Sequence, residues 1–329
     1  MAYWLKGKQE NVIYLWLLFI LGFIFTIFLN NDFTTLLELM QSGQRVDLSI
    51  KNAQWDSMLA GTSLLMSVFL FYATLKSSNT LKVKLSFLAL LSLFIMLFSY
   101  LVLVTQSRQI WLGLVSIAIA GPLIYLVLNK GKNIKVVLFS LAGVALLLFL
   151  LGNSQTVQKR LSQEHETVHS LIQNQESIKM SSIGIRINSW LEAKDWIVRH
   201  PILGLDSKAI PEVIRQSDRF DESFKKQFGH LHNFFIETLV AYGFSGFLLI
   251  LAMYYLIIKS ISESSLKESE KKYYLLAGIS FSIYWLIINN FESFNSRSLG
   301  IFTHNVIFAS FYTFYITAYL NQSDKKEVL

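Results

Sequence analysis

The sequence predicts an all-α polytopic membrane protein with about eight transmembrane helices and one long, mainly helical loop on the outer side. Three observations carry this prediction. The 329 residues are 53% hydrophobic and only 16% charged, with a mean hydropathy of +0.45, whereas soluble domains are about a quarter charged. Apolar stretches long enough to cross a bilayer recur along the chain. The charged residues lie between these stretches, so the net charge of +7 does not indicate a nucleic-acid surface.

Eight stretches approach the roughly 20 apolar residues that a helix needs to cross the hydrocarbon core. They lie near residues 12–29, 57–75, 85–104, 110–128, 134–152, 234–258, 273–289 and 299–319. The seventh is the weakest, because it is short and ends in two asparagines. No small-residue cleavage site follows the first, so it is predicted to be a retained span and not a signal peptide.

The predicted organisation has three parts. Residues 1–152 carry five spans with short loops, residues 153–232 form the long outer loop, and residues 233–329 carry three spans and a cytoplasmic tail. Within the outer loop, residues 156–180 have the composition of a helix too polar for lipid. Ser181 and Ser182 are N-cap candidates for a following amphipathic helix, which must end before Pro201.

Lysine and arginine are distributed differently along the chain. Lysines gather in the connections that the positive-inside rule assigns to the cytoplasm, which places both termini inside. The arginines all fall on the outer side: Arg45, Arg108, Arg160, Arg186, Arg199, Arg215, Arg219 and Arg297. Because a guanidinium can hold phosphate through two parallel hydrogen bonds, we expect anion-binding residues among them. Arg108 is the foremost candidate, since it lies in a tight turn between two spans, where a charge is costly.

A zinc motif also occurs in the outer loop. His165, Glu166 and His169 form an H-E-x-x-H match, which on a helix places two zinc ligands one turn apart beside a glutamate base. The flanking residues are uniformly polar and no third-ligand signature follows, so a solvated helix face is the favoured interpretation and catalytic zinc the alternative. The chain has no cysteine, which excludes disulfides, thiolate metal ligands and cysteine nucleophiles.

Short motifs in the outer connections resemble one family. In chain order they are Thr105-Gln-Ser-Arg108, Gly184-Ile-Arg186, His200-Pro-Ile-Leu-Gly204, His230-Leu-His232-Asn233 followed by Gly243 and Gly246, and Asn295-Ser-Arg297-Ser298. With these motifs the chain resembles the O-antigen ligase superfamily, and within it the lipid A-core:surface polymer ligases. The resemblance covers roughly residues 85–320, and members of the family usually carry more spans than this chain.

The resemblance implies a glycosyltransferase of the bacterial inner membrane whose active site faces the periplasm. Such an enzyme moves a glycan from undecaprenyl diphosphate to a sugar hydroxyl of lipid A-core. The implied partners are these two substrates and membrane lipid, with no nucleic acid, no metal and no cofactor. The loop at 153–232 is then the catalytic loop.

The residue types suit this chemistry. A diphosphate leaving group needs preorganised cations, and Arg108 and Arg186 are predicted to supply them, the latter from the first turn of a helix. The attacking hydroxyl must lose a proton. Histidine, whose unperturbed pKa is about 6.5, is a competent base at neutral pH, so His232 is the predicted general base.

The remaining motif residues are predicted to bind substrate or to support packing. Asn233 and Arg297 are assigned to substrate binding. His230 joins them, because helical geometry would turn it to a different face from His232, two residues away. Gly243 and Gly246 are interpreted as small residues that let membrane helices pack closely.

Several functions remain open at this point. A polymerase of lipid-linked repeat units or a protein O-oligosaccharyltransferase would present nearly the same residues. A transporter of lipid-linked glycans is a different class, but the broken spans in matching halves that mark many transporters are absent from the sequence. A membrane zinc hydrolase is the last candidate function.

Overall fold

The computed structural model describes residues 1–162 and 180–327, and this part of the chain is helical, with no strand. Its helices are α1 (Gln9–Asn30), α2 (Phe33–Gln41), α3 (Ala53–Lys76), α4 (Leu81–Val104), α5 (Arg108–Leu128), α6 (Ile134–Gly152), α7 (Gln155–Ser162), α8 (Ser182–Arg199), α9 (Ala209–Arg215), α10 (Glu222–Gln227), α11 (Phe234–Ser262), α12 (Glu268–Asn289) and α13 (Ser298–Glu327). Short 3₁₀ turns lie at Ala2–Leu5 and Phe294–Ser296. The H-E-x-x-H match at 165–169 lies outside the described residues.

Seven of the described helices are long and apolar enough to cross a membrane: α1, α3, α4, α5, α6, α11 and the Ser298–Ile316 part of α13. The predicted all-α polytopic fold is therefore confirmed. The seventh predicted span, at 273–289, lies within α12, which has a span's length but is not among the seven helices that meet both criteria. Four of its first five residues are charged (Glu268, Glu270, Lys271 and Lys272), which shortens its apolar part.

The chain forms two compact units. The first comprises Met1–Leu138, Leu256–Trp285 and Phe302–Leu329, and the second comprises Phe139–Tyr255 and Leu286–Ile301. In the first unit the Trp16, Phe281 and Phe311 rings pack at centroid distances of 5.6–6.2 Å. The Trp16 indole N–H also donates to Ser310 Oγ at 2.9 Å, which satisfies a polar group inside an apolar core.

The second unit contains a small apolar core within residues 180–242, which we call the loop domain. Apolar residues of α8, α9 and the start of α11 form this core, including Ala193, Val213 and Val240. Helix α8 begins as predicted, since Ser181 Oγ accepts from the Gly184 N–H at 3.1 Å, and it ends at Arg199, just before Pro201. Helices α9 and α10 were not predicted.

Helix α11 is broken at Gly243, which has the backbone angles φ 59° and ψ −159°. A side chain on Gly243 would overlap the backbone of Ile202 and Leu203, and one on Gly204 (φ 68°) would overlap the backbone of Ala241. Gly243 therefore serves a loop contact, and its predicted role in helix packing is wrong. A Cβ at Gly246 would meet Tyr242 of the same helix.

Candidate active site

His230, His232 and Glu292 form a compact cluster in the second unit. His232 Nδ1 lies 3.2 Å from one carboxylate oxygen of Glu292, and His230 Nε2 lies 3.7 Å from the other. The two imidazole ring centroids are 4.1 Å apart. Glu292 is almost completely buried, with 4% of its side chain exposed, so both histidines approach a carboxylate shielded from water.

The two histidines meet because the chain that carries them is not helical. Residues 228–233 form an irregular segment between α10 and α11, and His232 adopts a left-handed conformation with φ 51°. The expectation that helical geometry separates His230 from His232 is therefore wrong. The peptide groups of Leu231, between them, are both anchored: its carbonyl accepts from the Trp190 indole N–H at 2.9 Å, and its N–H donates to Glu237 at 3.0 Å.

Glu237 fastens the histidine segment to the loop that carries Glu292. Besides the Leu231 N–H, its carboxylate accepts hydrogen bonds of 2.6 Å from the hydroxyls of Ser293 and Ser296. A buried carboxylate that accepts several hydrogen bonds is stabilised in place. Glu237 thus sets the distance between residues 230–232 and residues 292–296.

Asn233 caps α11. Its side-chain oxygen accepts from the backbone N–H groups of Phe235 at 2.9 Å and Ile236 at 3.1 Å, as is typical of an asparagine N-cap. Asn233 is buried. The cap explains an asparagine at this position without a substrate, so the predicted substrate contact of Asn233 stays a prediction.

The tautomer of His232 follows from its partner. Burial raises the pKa of Glu292, but the hydrogen bond and charge of His232, together with His230, outweigh burial and lower it overall. Glu292 is therefore an acceptor-only carboxylate at neutral pH. His232 Nδ1 must carry the proton in this hydrogen bond, so the neutral form of the ring has its lone pair on Nε2. A histidine held in this way can act as a base through Nε2.

His230 has a different electrostatic environment. Burial lowers its pKa to about 4, assisted by repulsion from His232 in its protonated form and from Arg297 and Arg186, and opposed by Glu292. His230 is consequently neutral at pH 7 and a weak base. Of the two histidines, the environment disfavours His230 as the proton acceptor.

Arg186 is buried, with 7% of the residue exposed. Its Nε donates to the Phe291 carbonyl at 3.0 Å, and its Nη1 donates to the carbonyl and hydroxyl of Ser182 at 3.1 and 3.0 Å. Arg186 therefore ties the start of α8 to the residue that precedes Glu292. Its positive charge also reaches His230, where it contributes to the low pKa.

A cavity of about 350 Å³ opens beside the cluster. Among its described lining residues are His230, Glu237, Tyr242 and Arg297, whereas His232 and Arg186 are not. Arg297 is exposed and precedes α13, so its charge can face a ligand in the cavity. The structure thus places two predicted site residues, His230 and Arg297, at the cavity, and the His232 ring lies against that of His230.

Arg108 belongs to the first unit and has its own surroundings. It is half-buried and is the first residue of α5. The turn before it is covered by the segment 43–46: Arg45 Nε donates to the Thr105 carbonyl at 3.1 Å, and Gln106 Nε2 donates to the Gly43 carbonyl at 3.1 Å. Arg45 therefore holds the turn that orients Arg108.

The cluster also has the donor set of a metal site. One ligand atom each from His230, His232 and Glu292 can be chosen so that all three lie within 4.8 Å of one another, and two histidines with a glutamate hold zinc in some enzymes. The charges of Arg297 and Arg186, however, act on this same place. Glu292 places a negative charge at the same point, with a larger effect on His230 than either arginine, so these charges do not decide between a cation and an anion, and the expected absence of a metal stays a prediction.

Two residues of the candidate site, Glu292 and Glu237, were not predicted from the sequence. Glu237 lies five residues after His232 at the beginning of a span, where a carboxylate needs partners, and that position was an available signal. Glu292 lies in a short connection without a recognisable motif, and nothing in the sequence near it indicates a histidine partner.

A comparison with protein families matches residues 91–251 to the family described as O-antigen ligase. A search of curated proteins finds no match. The matched range contains Arg108, Arg186, His230 and His232, whereas Glu292 and Arg297 follow it. The family match, with the seven candidate spans, supports a glycosyltransferase of the ligase and polymerase kind in a multi-pass bacterial membrane protein. The resemblance carried by the motifs is thereby confirmed: residues 91–251 match the O-antigen ligase family.

Proposed function

We propose that the chain is a metal-independent O-antigen ligase. It transfers a glycan from undecaprenyl diphosphate to a sugar hydroxyl of lipid A-core at the periplasmic face of the inner membrane. The observation that carries the proposal is the hydrogen bond between His232 and Glu292, next to a cavity lined by His230 and Arg297, in a chain matched to O-antigen ligase.

His232 is the general base in this proposal. Its Nε2 removes the proton of the acceptor hydroxyl while the hydroxyl oxygen bonds to the anomeric carbon of the donor glycan. The bond from that carbon to the phosphate oxygen breaks, and its electron pair leaves with undecaprenyl diphosphate. A single displacement of this kind inverts the anomeric configuration. Glu292 stabilises the imidazolium that forms on His232, as carboxylates do in other nucleophile–base arrangements.

The arginines bind the diphosphate in this proposal. Charge develops on the leaving phosphate oxygens, where preorganised guanidinium groups give most of their stabilisation. Arg297 lines the cavity and is the direct candidate. Arg186 contributes its charge and also holds the loop at Phe291. Arg108 is proposed as a further diphosphate ligand on the basis of its motif.

The partition of glycans in a mutant strain separates a ligase from a polymerase. In a ligase, His232→Ala blocks the step after polymer assembly, so long glycans accumulate on undecaprenyl diphosphate while lipid A-core stays unsubstituted. In a polymerase, the same variant leaves single repeat units on the core and no ladder of lengths. Gel electrophoresis and mass spectrometry of each carrier distinguish the two. His200→Ala, at an exposed histidine, is the matched control and should resemble wild type.

Purified protein separates a ligase from a transporter, a protein glycosyltransferase and a zinc hydrolase. Transfer to lipid A-core in detergent, without membrane compartments, would exclude a transporter that performs no chemistry, and a peptide acceptor in place of lipid A-core tests protein glycosylation. Activity should survive a chelator, because the proposed chemistry needs no metal. Activity that is abolished by the chelator and restored by zinc would contradict the proposal and favour a metal site at His230, His232 and Glu292.

A further inference from the structure

The loop between α8 and α9 presents large apolar side chains at its tip. Ile202 is 69% exposed and Leu203 is 75% exposed, and Val198 in the last turn of α8 is 68% exposed. Single exposed apolar residues are common, but three on one short segment form a patch. These three are the most exposed aliphatic side chains of the described loop domain, in which other apolar residues form a core around Ala193, Val213 and Val240.

The tip cannot fold back to bury these side chains, because its backbone is fixed to α11. The N–H groups of Phe244 and Ser245 donate to the carbonyls of Pro201 and Ile202 at 2.8 and 3.1 Å. In the opposite direction, Leu205 and Asp206 N–H groups donate to the carbonyls of Val240 and Ala241 at 3.0 and 2.8 Å. These four bonds satisfy the peptide groups that the break at Gly243 releases.

The distance from the break at Gly243 to the end of α11 can be compared with the thickness of a membrane. The part of α11 after Gly243 has 19 residues, 244–262, and at about 1.5 Å per residue it is about 28 Å long. This length is close to a hydrocarbon core of about 30 Å, with Lys259 in the last turn, where a lysine side chain can extend to the headgroups. If this part alone crosses the bilayer, and not the whole of the candidate span Phe234–Ser262, Gly243 and the tip of the loop lie at one boundary of the bilayer.

The exposed surface of α11 continues the patch across this boundary. Phe244, Leu248 and Leu249 are 54%, 58% and 72% exposed on the part that crosses the bilayer, where lipid chains are their natural surroundings. Tyr242, just before the break, is 53% exposed, and tyrosine is typical of membrane–water interfaces. The patch at the tip is thus continuous with the lipid-facing surface of a membrane helix.

We propose that Ile202 and Leu203 insert among the lipid chains at this boundary of the bilayer and anchor the loop domain there. The partner is the lipid surface itself. Through the four backbone bonds, the anchor holds the start of α11, and so the segment with His230 and His232, at headgroup depth. This inference does not depend on which reaction the cluster performs.

Site-specific fluorescence tests the anchor. Because the chain has no native cysteine, an introduced cysteine is its single labelling site. Leu203→Cys is labelled with an environment-sensitive nitrobenzoxadiazole probe, and the protein is placed in nanodiscs of phosphatidylethanolamine and phosphatidylglycerol. Some discs also contain lipids with a nitroxide near the headgroup end of the acyl chain. Leu249→Cys marks the lipid-facing surface, and Glu222→Cys, at a side chain 80% exposed on α10, marks a water-exposed site.

The expected result is blue-shifted emission at position 203 with strong nitroxide quenching, close to that at position 249. Emission at position 222 should resemble that in water, without quenching. Water-like emission at position 203 would overturn the proposal, and so would a blue shift without quenching, since the latter indicates a second copy of the chain or another protein surface. Ile202→Cys repeats the measurement at the neighbouring tip residue.

Discussion

Two attachments, each a set of hydrogen bonds between separate segments, hold the second unit together. One uses backbone groups and the other uses side chains. Loop 201–206 joins α11 through four backbone hydrogen bonds and the close approach of Gly204 and Gly243. Segment 230–237 joins residues 291–297 through the side chains of Glu237 and Glu292. None of the four bonds of the first attachment uses an ionisable side chain. The second is built from carboxylates, histidines and hydroxyls.

The difference determines what each attachment tolerates. Backbone hydrogen bonds do not depend on pH or on most side chains. At Gly204 and Gly243, however, the close approach of the backbones leaves no room for a Cβ. Side-chain hydrogen bonds depend on protonation and on the number of donors. Changing one atom can therefore turn a favourable contact into an unfavourable one. The backbone attachment fixes the position of loop 201–206 on α11. The side-chain attachment supplies groups that can exchange protons.

The largest effect is expected at the backbone attachment. Gly243→Ala must place a Cβ into the backbone of Ile202 and Leu203, at a cost above the about 1–3 kcal/mol of this strained backbone conformation alone. We expect little folded protein by size-exclusion chromatography and a large loss of thermal stability. Gly143→Ala is the control, because an added Cβ there meets nothing within 4 Å. Normal stability of Gly243→Ala would mean that the loop is not attached as described.

Replacing Arg186 and Arg297 one at a time distinguishes a residue that stabilises the fold from one that binds the diphosphate. Arg186→Lys cannot bridge the Phe291 carbonyl and Ser182 together, so both thermal stability and transfer should fall. Arg297→Lys, at an exposed residue, should keep wild-type stability while transfer falls by about 100-fold, because lysine lacks the bidentate geometry. Melting curves and initial rates measure the two effects. Full transfer activity in Arg297→Lys would remove it from diphosphate binding.

The smallest effect concerns pH. The pKa of His230 is lowered to about 4 in the folded chain, against about 6.5 unfolded. Between these values the unfolded chain binds a proton that the folded chain does not, so His230 lowers stability as pH falls below 6.5. From pH 7 to pH 5 this amounts to about 2 kcal/mol. His230→Gln should lose less stability than wild type over this range.

Denaturation at both pH values, by temperature or denaturant, provides the check for His230→Gln. The comparison uses the difference between variant and wild type, because other groups titrate in both. Equal losses in the two proteins would show that His230 is as readily protonated in the folded chain as in the unfolded one. Gly143→Ala, away from the cluster, should follow the wild-type pH dependence.

The fold was largely predictable, because its signals are local. Hydropathy and length identify seven candidate spans, and the boundaries of α8 follow from a serine cap at Ser181 and a helix-ending proline at Pro201. The shortened apolar part of α12 is equally local, since charged residues at its start outweigh the apolar residues that follow. Such features depend on neighbours in sequence.

The candidate site was only partly predictable, because its decisive contacts are not local. His232 and Glu292 are 60 positions apart, and the burial that makes Glu292 an orienting carboxylate is visible only in the fold. The left-handed backbone of His232 interrupts the helical spacing from which its separation from His230 was inferred. Arg186 was recognised by its motif, but its bond to the Phe291 carbonyl depends on tertiary packing.

A double-mutant cycle tests the central claim that His232 is the base and that Glu292 acts through it. Transfer rates are measured for purified wild type, His232→Ala, Glu292→Gln and the double variant, with a lipid-linked glycan donor and a lipid A-core acceptor. Loss of a general base typically costs about 10²–10⁴ in rate, and we expect His232→Ala in this range. In the His232→Ala background, Glu292→Gln should cause no further loss, because there is no imidazole left to orient. Equal losses from Glu292→Gln in both backgrounds would contradict the account and show that the two residues act independently.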